Sequence, residues 1–343
     1  MPIKVAVFGY GLSAKVFHLP YLSANTAFLL VGISTRQSDV AQSYPNVTVA
    51  PTPAELLQRV EPDLVVITTP NATHAEFAEL ALRAGCHVVI EKPLCLDSTT
   101  ATRLQSLAAS RRKHLVPFFN RRWDDDFMAL QQLIAHNRIG AVRLFHSRFD
   151  RFRPHAQARW KENAEFGSGV FWDLAPHLID QMLQLFGKPS TVTADIRPIR
   201  QQSPCADYFQ LCFEYPSLLV HLGSSPFQAG PVLRFDVHGE AGSAQILGFD
   251  PQEQRLREPQ RAELARHFAV NTAAGQQMVP LLGGDYSQFY QAVAAALVQA
   301  PAAGVTDLIP TVQQAIDGLC CMEAALQSSK QQCKISIVYN VPV

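Results

Sequence analysis

Asp173 and His177 are the two side chains of this sequence whose spacing best suits acid–base chemistry. They lie four residues apart, so a helix would place both on one face. A carboxylate beside an imidazole raises its basicity and orients it, which suits a general base near neutral pH. Because Pro176 lacks a backbone N–H, we expect the helix to begin within about a turn before it, with Asp173 in the first turn. A structural Asp–His pair would show the same spacing.

The metal-ligating side chains do not form a metal motif. Asp173 and His177 fall short of the three or four ligands that an ion such as zinc needs, and no third partner has suitable spacing. The cysteines also lack such spacing and lie at positions 86, 95, 205, 212, 320, 321 and 333. We therefore expect no bound metal, and free thiols in a reducing compartment.

A second reactive side chain, Lys92, belongs to the tripeptide Glu91-Lys92-Pro93, which follows a predicted strand over 87–90. Ligands of open α/β sheets bind outside the carboxyl ends of the strands. Pro93 biases Lys92 toward an extended backbone. The sequence thus places Lys92 at the ligand-binding edge of a sheet, although a lysine at a strand end is more often a solvated surface group.

A polar segment follows another predicted strand, over 64–68. Its candidate cofactor contacts are Thr69, Pro70, Asn71 and His74. At the carboxyl end of a strand these groups would face the ribose and the nicotinamide of a dinucleotide. Asn71 or Thr73 could also cap the helix predicted over 73–84. The two interpretations are compatible.

The N-terminal segment is the element that would hold the phosphates of such a dinucleotide. A predicted strand enters the turn Gly9-Tyr10-Gly11-Leu12-Ser13-Ala14, and a helix is predicted from Lys15 onward. Gly9 permits the tight turn, Gly11 lets the backbone approach a pyrophosphate, and Ala14 allows close packing of helix and strand. The N–H groups of the helix start favour an anion. Glycine-rich turns also occur as plain corners, so the position between strand and helix is what favours a nucleotide site.

The end of the next predicted strand, over 27–33, indicates which dinucleotide binds. The residues that follow are Ser34, Thr35 and Arg36, where an NAD-preferring site usually carries an acid for the ribose 2′-hydroxyl. The nearest acid, Asp39, lies past that position. A guanidinium suits a 2′-phosphate, whereas a carboxylate repels it. We therefore predict NADP; the alternative is that Arg36 is a solvated loop cation.

Composition limits the class of protein. The chain has 343 residues, 48% of them apolar, which is enough for two domains with separate cores. A formal charge of zero gives no electrostatic basis for binding nucleic acid or an anionic membrane. No apolar run approaches the ~20 residues that span a bilayer, and no signal-peptide pattern opens the chain. These features predict a soluble, cytoplasmic protein.

Two regions differ in their secondary-structure pattern. Residues 1–122 alternate strands and helices and predict an α/β Rossmann domain with a doubly wound parallel sheet. Residues 123–343 predict an α+β domain with a large, mostly antiparallel sheet. Its predicted helices cover 127–136 and 170–186, and its predicted strands cover 143–152, 190–197, 208–215, 217–223 and 234–239. Apolar stripes over 286–297 and 312–326 predict two final helices, which could pack back on the first domain.

Together these motifs resemble the glucose–fructose oxidoreductase/inositol dehydrogenase (Gfo/Idh/MocA) family. The order Gly9-x-Gly11, Glu91-Lys92-Pro93 and Asp173-x-x-x-His177-x-x-Asp180 matches the family pattern across the whole chain. Further segments are similar to the subgroup that contains NADP-dependent scyllo-inositol dehydrogenases. They are Gly9-Tyr10-Gly11-Leu12-Ser13 with Val16-Phe17-His18, Asn120-Arg121-Arg122-Trp123-Asp124, and Gln157-Ala158-Arg159-Trp160.

The resemblance implies hydride transfer between the nicotinamide and a secondary alcohol or ketone, commonly of a sugar or cyclitol. In that family the lysine of the Glu-Lys-Pro motif binds the reacting oxygen, which gives Lys92 that role. The resemblance makes His177 the proton acceptor and leaves Asp173 to hold the imidazole. It also implies a homodimer or homotetramer, because a sheet face of the second domain commonly mediates dimers in the family.

The resemblance implies further contacts around this centre. Glu91 joins the cofactor contacts, and Arg159 with Trp160 is expected to reach the carboxamide of the nicotinamide. Asn120 and Arg122 match positions that line the cleft in the family. Arg153 is a further candidate substrate contact that could select a polar or anionic substrate, with a structural salt bridge as the alternative.

Two departures from the family pattern and two alternatives stay open. Ala14 replaces the usual third glycine, and Ala175-Pro176 replaces a Gly-Ser or similar pair, which could alter the helix start. One alternative is a non-catalytic regulator that binds NADP and a sugar. Such proteins typically lose the Lys or the His, whereas this chain keeps both. The other is a dehydrogenase of a different polyol, such as a dihydrodiol or an acyclic sugar.

Overall fold

The computed structural model describes residues 1–156, 162–258, 266–298 and 309–339 of the chain. These residues form two compact units. The first unit holds residues 1–120 with 286–298 and 309–316, and the second holds the described residues from 121 to 285 with 317–339. The first unit therefore includes a helix from late in the chain.

The first unit is built on one parallel sheet. Its strands are β1 Ile3–Phe8, β2 Phe28–Ser34, β3 Thr48–Ala50, β4 Leu64–Ile67, β5 His87–Ile90 and β6 Leu115–Pro117. They lie in the order β3-β2-β1-β4-β5-β6, with every neighbouring pair parallel. The order changes direction between β1 and β4, which is the switch point where doubly wound sheets bind their ligands. The predicted Rossmann sheet is confirmed.

Side-chain caps fix the start of some of the helices. In chain order they are α1 Leu19–Ala24, α2 Val40–Ser43, α3 Pro53–Val60, α4 His74–Arg83, α5 Ser98–Ser110, α6 Asp125–Ala135, α7 Val170–Phe186, α8 Gln252–Arg257, α9 Ser287–Leu297 and α10 Val312–Gln331. The Thr52 side chain accepts from the third residue of α3, Glu55 N, and Asp97 accepts from Thr100 N at 2.7 Å at the start of α5. Each bond satisfies an N–H that has no partner within its helix.

The second unit is built on a nine-stranded sheet. The strands are β7 Val142–Arg148, β8 Thr191–Arg197, β9 Tyr208–Tyr215, β10 Leu218–Ser224, β11 Leu233–Gly239, β12 Gly242–Leu247, β13 His267–Thr272, β14 Gly275–Pro280 and β15 Ile335–Ser336. Their order is β14-β13-β12-β11-β7-β10-β9-β8-β15. Only the pair β10–β7 is parallel. The predicted large, mostly antiparallel sheet is confirmed.

One predicted strand is shorter than expected. Residues 143–152 were expected to form a single strand, but β7 ends at Arg148. Two residues later the Asp150 carboxylate accepts from Ser225 N at 2.7 Å, in the place of a ladder bond between two backbones. Backbone bonds between the two segments continue from Phe149 N to Gly223 O at 3.0 Å and from Arg151 N to Ser225 O at 2.9 Å, and an isolated bridge joins Phe152 to Phe227. A side chain that takes over a backbone bond has therefore ended the strand.

The helix α7 begins earlier than its proline predicts. Val170 is six residues before Pro176, so the proline lies inside the helix rather than in its first turn. The start is set by Gly169, which has a φ of +90° and whose added Cβ would lie 2.6 Å from Ala206 O. The expectation of a start within about a turn of Pro176 is therefore wrong, whereas the helix predicted over 170–186 from its apolar pattern is confirmed. Asp173 lies in the first turn, as predicted.

Buried polar groups fix the start of α6. Asp125 N donates to Asp250 Oδ2 at 2.6 Å, Gln252 N donates to Asp250 Oδ1 at 2.7 Å, and Gln252 Nε2 donates to Trp123 O at 2.9 Å. Burial and the Asp250 charge raise the pKa of Asp125 to about 7, although Arg266 opposes them. These hydrogen bonds join the start of α6 to Asp250 and Gln252.

Gly284 lies against this cluster, and a methyl group there would collide with it. An added Cβ would overlap Trp123 O and Gln252 Nε2 and lie 2.7 Å from Asp250 Oδ2. Because a backbone carbonyl cannot move aside cheaply, we expect Gly284→Ala to lower the free energy of unfolding by about 3 kcal/mol. Urea unfolding followed by circular dichroism measures the change. Gly230→Ala is the control, since its nearest neighbour lies 3.8 Å away; equal midpoints for the two variants would contradict the prediction.

Three further features bear on class. All seven cysteines are free thiols, as predicted. Across the described residues, no helix has the length and apolar character needed to cross a bilayer. In the same part of the chain, no group of three or more His, Cys, Asp and Glu side chains is placed to hold a metal ion.

Candidate active site

The glycine turn, residues 9–14, follows β1 at the carboxyl edge of the parallel sheet. Gly9 has a φ of +96°, and an added Cβ would lie 2.9 Å from Thr68 Oγ1, so a side chain there is strained. Gly11 is exposed, and an added Cβ would meet no atom within 4 Å. Leu12 is exposed and Ala14 is buried. The turn thus combines a closely packed corner with an open backbone face.

A π-helical turn over Ala14–His18 continues the glycine turn into α1. Its wider bond runs from Leu19 N to Ala14 O, five residues back. Single π-helical turns are frequent at functional sites. The side chain of His18, the last residue of the turn, is completely buried.

Glu91, directly after β5, is the centre of a polar cluster that we call the Glu91 cluster. Its Oε1 accepts from Ser13 Oγ in the glycine turn and from His18 Nε2 at 3.2 Å, and its Oε2 accepts from Lys92 N at 3.1 Å. Tyr290 Oη on α9 lies 2.6 Å from His18 Nδ1. Burial raises the pKa of Glu91, but the bonds and charges of His18, Lys92 and Ser13 outweigh it and lower the pKa to about 2. The carboxyl group is therefore ionised near neutral pH.

His74 links two segments of the candidate site through its two ring nitrogens. Its side chain has no exposed surface. Nδ1 lies 2.8 Å from Pro93 O and Nε2 lies 2.9 Å from Thr69 O, so the ring links the tripeptide after β5 to the segment after β4. Burial lowers the pKa of His74, although the two carbonyl groups oppose it. The expected contact between His74 and the cofactor stays a prediction.

The segment after β4 is held from within. Thr73 Oγ1 donates to Thr69 Oγ1 at 2.7 Å and to Pro70 O at 2.8 Å. Thr73 is the N-cap residue of α4, yet its side chain makes no capping bond. The capping interpretation is therefore wrong for Thr73. Pro70 is exposed, while Thr69 and Asn71 are partly exposed at the carboxyl edge of the sheet.

The segment after β2 presents a cation rather than an acid. Ser34 is buried, Thr35 is partly exposed, and Arg36 is exposed. Among the residues that the structure describes, Arg36 makes no hydrogen bond or ion pair. Asp39, the nearest acid, lies 3.1 Å from Lys15 Nζ. Its charge is thus compensated by a lysine that immediately follows the glycine turn.

In the second unit, Asp173, His177 and Asp180 lie on one face of α7 at intervals of four and three. His177 and Asp180 are buried, and Asp173 is partly exposed. Arg122 pairs with Asp180 through Nε–Oδ2 at 2.9 Å and Nη2–Oδ1 at 2.5 Å, and 9% of its side chain is exposed. Burial raises the pKa of Asp180, although Arg122 opposes it. This pair ties Arg122 to α7, and the expected contact of Arg122 with the substrate stays a prediction.

Arg153 lies next to a second buried ion-pair group. Arg200 donates to Arg153 O at 3.4 Å and to His155 O at 3.0 Å, and it pairs with Glu162 and Asp207, each at 2.9 Å. The Arg153 side chain is partly exposed. The segment before residue 156 is therefore anchored through its backbone.

Three further predicted contacts differ in what the structure shows of them. Asn120 begins the short helical turn that follows β6, and it is buried, with 5% of its surface exposed. Arg159 and Trp160 lie outside the described residues. The expected contact between these two residues and the nicotinamide stays a prediction.

Comparison with known proteins shows the family. Residues 3–119 match the oxidoreductase family described as an NAD-binding Rossmann fold, and residues 127–245 match the GFO/IDH/MocA C-terminal domain. The chain belongs to the Gfo/Idh/MocA oxidoreductases. The resemblance expected from the motifs is confirmed, and with it the assignment of the protein as an enzyme of oxidation and reduction.

Relatives of this Gfo/Idh/MocA oxidoreductase extend over almost the whole chain. The uncharacterized oxidoreductase YdgJ of Escherichia coli is 38% identical over 86% of this chain and 88% of its own. The scyllo-inositol 2-dehydrogenase (NADP(+)) IolW of Bacillus subtilis is 32% identical over 96% and 94%. Among solved structures, a Klebsiella pneumoniae oxidoreductase has a TM-score of 0.89 at 35% identity and covers 98% of this chain and 96% of its own. The Bacillus subtilis oxidoreductase yvaA has a TM-score of 0.91 at 30% identity and covers 98% of both chains.

Two side chains at this site had no predicted role in the sequence analysis. His18 was quoted only as part of a segment similar to the subgroup, and Tyr290 only as part of an apolar helical stripe. The one local signal for His18 is its position soon after the glycine turn, among residues that are otherwise apolar. Tyr290 carries no local signal, since its partner His18 is 272 residues away.

Proposed function

We propose that this Gfo/Idh/MocA oxidoreductase transfers a hydride between NADP(H) and a secondary alcohol or ketone of a cyclitol or sugar. The observation that carries the proposal is the Glu91 cluster. Through Glu91, Ser13 of the glycine turn and the backbone of Lys92 are bonded to the same carboxylate. The glycine turn and the segment that carries the candidate catalytic lysine are thus joined through one carboxylate. The NADP-dependent inositol dehydrogenase among the relatives supports the choice of cyclitol.

The residues of the first unit fit a dinucleotide. The open backbone face at Gly11 leaves room for a pyrophosphate against the N–H groups of the turn. Thr69 and Asn71 at the end of β4 would hold the ribose and the nicotinamide. When bound, the nicotinamide accepts a hydride from the substrate carbon or returns it.

Lys92, His177 and Asp173 perform the acid–base chemistry in this proposal. Lys92 binds the reacting oxygen and stabilises the negative charge that develops on it, an effect worth about 3 kcal/mol for one donor. His177 takes the hydroxyl proton during oxidation and returns it during reduction. Asp173, one helical turn before His177, orients the imidazole and stabilises its charged form.

The choice of NADP rests on the segment after β2. Arg36 is exposed at the position where an NAD-preferring site carries an acid, and the nearest acid, Asp39, is paired with Lys15. A 2′-phosphate would therefore meet a guanidinium without a competing carboxylate. A charged hydrogen bond of this kind contributes roughly 1.5–3 kcal/mol.

Arg36→Ala is expected to weaken NADPH binding by about tenfold to a hundredfold and to change NADH binding by less than about threefold. The difference arises because only NADPH carries the 2′-phosphate. Titration of protein into each cofactor, followed by nicotinamide fluorescence, measures both dissociation constants. Arg83→Ala is the control, since Arg83 is an exposed arginine that pairs with Glu79 on α4. Equal losses for NADPH and NADH would refute the NADP assignment.

The reaction itself is tested by mixing the protein and NADP with cyclitols and sugars and recording the absorbance of reduced nicotinamide. A rate proportional to protein concentration with any cyclic polyol supports the proposal. NADPH binding without turnover of any polyol or sugar would instead favour a regulator that binds the same ligands.

A further inference from the structure

The Glu91 cluster contains a buried chain of three side chains that no proposed catalytic step uses. We propose that His18 and Tyr290 are positioning residues, which hold the Glu91 carboxylate ionised and aligned so that it ties the glycine turn to the backbone of Lys92. The consequence for catalysis rests on the proposed function of Lys92. The consequence for cofactor binding rests only on the Rossmann character of the first unit.

The direction of each hydrogen bond follows from the donors available. An ionised carboxylate only accepts, so His18 Nε2 must carry a proton in its contact with Glu91 Oε1 at 3.2 Å. Burial raises the pKa of Tyr290 well above its ordinary value, so its hydroxyl keeps its proton. The hydroxyl oxygen lies 2.6 Å from His18 Nδ1 and can pair with that nitrogen as donor or acceptor. Tyr290 thus holds the His18 ring with Nε2 directed at Glu91.

Packing fixes these rings in place. The His18 ring centroid lies 4.2 Å from that of Phe118, and Tyr290 packs edge-on against Phe28 and Phe289 at 5.8 Å and 5.2 Å. His18 and Tyr290 are almost completely buried. A ring held in this way loses little further freedom when it makes a hydrogen bond. The linked side chains are therefore arranged before any ligand binds.

The Glu91 carboxylate accepts hydrogen bonds from three donors. Ser13 comes from the glycine turn, His18 from the π-helical turn, and the third donor is the Lys92 backbone. The titratable groups that face Glu91 are His18, Lys92, Tyr290 and, through its charge, His74. Without His18, burial would dominate, and the Glu91 carboxyl group would take up a proton as the pH falls. A protonated carboxyl group has fewer acceptor sites for Ser13 and Lys92 N.

The direction of the pH effect follows from this change. In wild type the pKa of Glu91 is about 2, so the carboxylate is present across the range of interest. In His18→Leu the pKa is expected to rise toward neutrality. The defect is then largest at low pH, and it fades as the pH rises through the new pKa.

The test measures NADPH dissociation constants of wild type and variants from about pH 6 to about pH 9. Their ratio to wild type at each pH cancels the ionisation of the cofactor itself. We expect His18→Leu to weaken binding about tenfold at the low end and by less than about threefold at the high end. His18→Gln, whose amide can still donate to Glu91, should recover most of the loss. Glu91→Gln should show a loss that is the same at every pH.

A smaller change checks the outer member of the chain, and a matched tyrosine serves as its control. Tyr290→Phe removes only the hydroxyl and is expected to weaken binding about threefold, with the same pH trend. Tyr215→Phe removes a hydroxyl that donates to Gly187 O at 2.8 Å in the second unit, and it should leave the ratio at one. Thermal unfolding of each variant confirms that the folded protein is being compared. Tyr290→Phe and His18→Gln keep the test available if His18→Leu does not fold.

The outcomes separate this inference from the proposed function. If the NADPH dissociation constants of His18→Leu and Tyr290→Phe, relative to wild type, both stayed constant with pH, the positioning role would be overturned. The expected ratios confirm it even if wild type turns over no polyol, in which case the proposed reaction fails and the role in shaping the cofactor corner stands.

Discussion

Replacing Lys92 with alanine is expected to lower kcat by about 10²–10³-fold and to change NADPH binding by less than about threefold. In the proposed reaction the ammonium group stabilises the negative charge on the reacting oxygen only in the transition state, so its loss is expected to affect turnover rather than cofactor affinity. Its backbone bond to Glu91 does not depend on the side chain, which leaves the Glu91 cluster intact. Steady-state rates and a fluorescence titration of NADPH measure the two quantities.

Lys4→Ala is the matched control for this variant. Lys4 is an exposed lysine near the start of β1, at the opposite end of the same parallel sheet from the glycine turn. Its loss should change neither kcat nor NADPH binding. If Lys92→Ala kept the wild-type kcat, the role of Lys92 at the reacting oxygen would be disproved.

The second large effect is expected at His177. His177→Gln keeps the polar character of the side chain but removes the base, and kcat for alcohol oxidation should fall by about 10²–10⁴-fold. Asp173→Asn should have a smaller effect, about tenfold, since it weakens the orientation of the imidazole without removing it. Neither variant should weaken NADPH binding, which the first unit provides. Stopped-flow or steady-state absorbance in the oxidation direction measures the rates.

A second Asp–His pair offers the control for His177. His238 Nε2 lies 3.1 Å from Asp236 Oδ1 on β11, in the same unit and partly exposed. His238→Gln removes an imidazole of the same kind from a pair without a catalytic motif, and it should leave kcat unchanged. Similar losses of kcat for His238→Gln and His177→Gln would show that the effect is structural.

The elements that carry the site were predictable from local patterns. Gly9 and Gly11 after an apolar run predicted the turn at the carboxyl edge of the sheet, where Lys92 also lies at the end of β5. The helix α7 was predicted over 170–186 and has those bounds, because an apolar stripe lies between Gly169 and Gly187. Such features depend on residues that are close together in the chain.

Contacts between distant residues were not predictable in this way. Arg122 and Asp180 are 58 residues apart and His18 and Tyr290 are 272 apart, so no spacing relates them. The burial of His74 likewise depends on the turn at Pro93, which folds over it from another part of the chain. Each of these contacts joins residues that only the folded chain brings together.

The edge strand β14 of the second sheet was not predictable for a different reason. β14 lies at the edge of the sheet and exposes almost all of its residues, so Gly275–Pro280 shows no alternation of apolar and polar side chains. Its pairing with β13 is what makes it a strand. Edge strands of this kind are set by the neighbouring strand rather than by their own pattern.

The most direct measurement of the central claim is the rate of NADP reduction by wild type with scyllo-inositol, compared with that of Lys92→Ala under the same conditions. We expect a rate with NADP that exceeds the rate with NAD, and a loss of about 10²–10³-fold in the variant. The rates of NADP reduction with other cyclitols and sugars, measured in parallel, identify the preferred substrate. NADPH binding without reduction of NADP by any polyol, or a rate that Lys92→Ala leaves unchanged, would contradict the account.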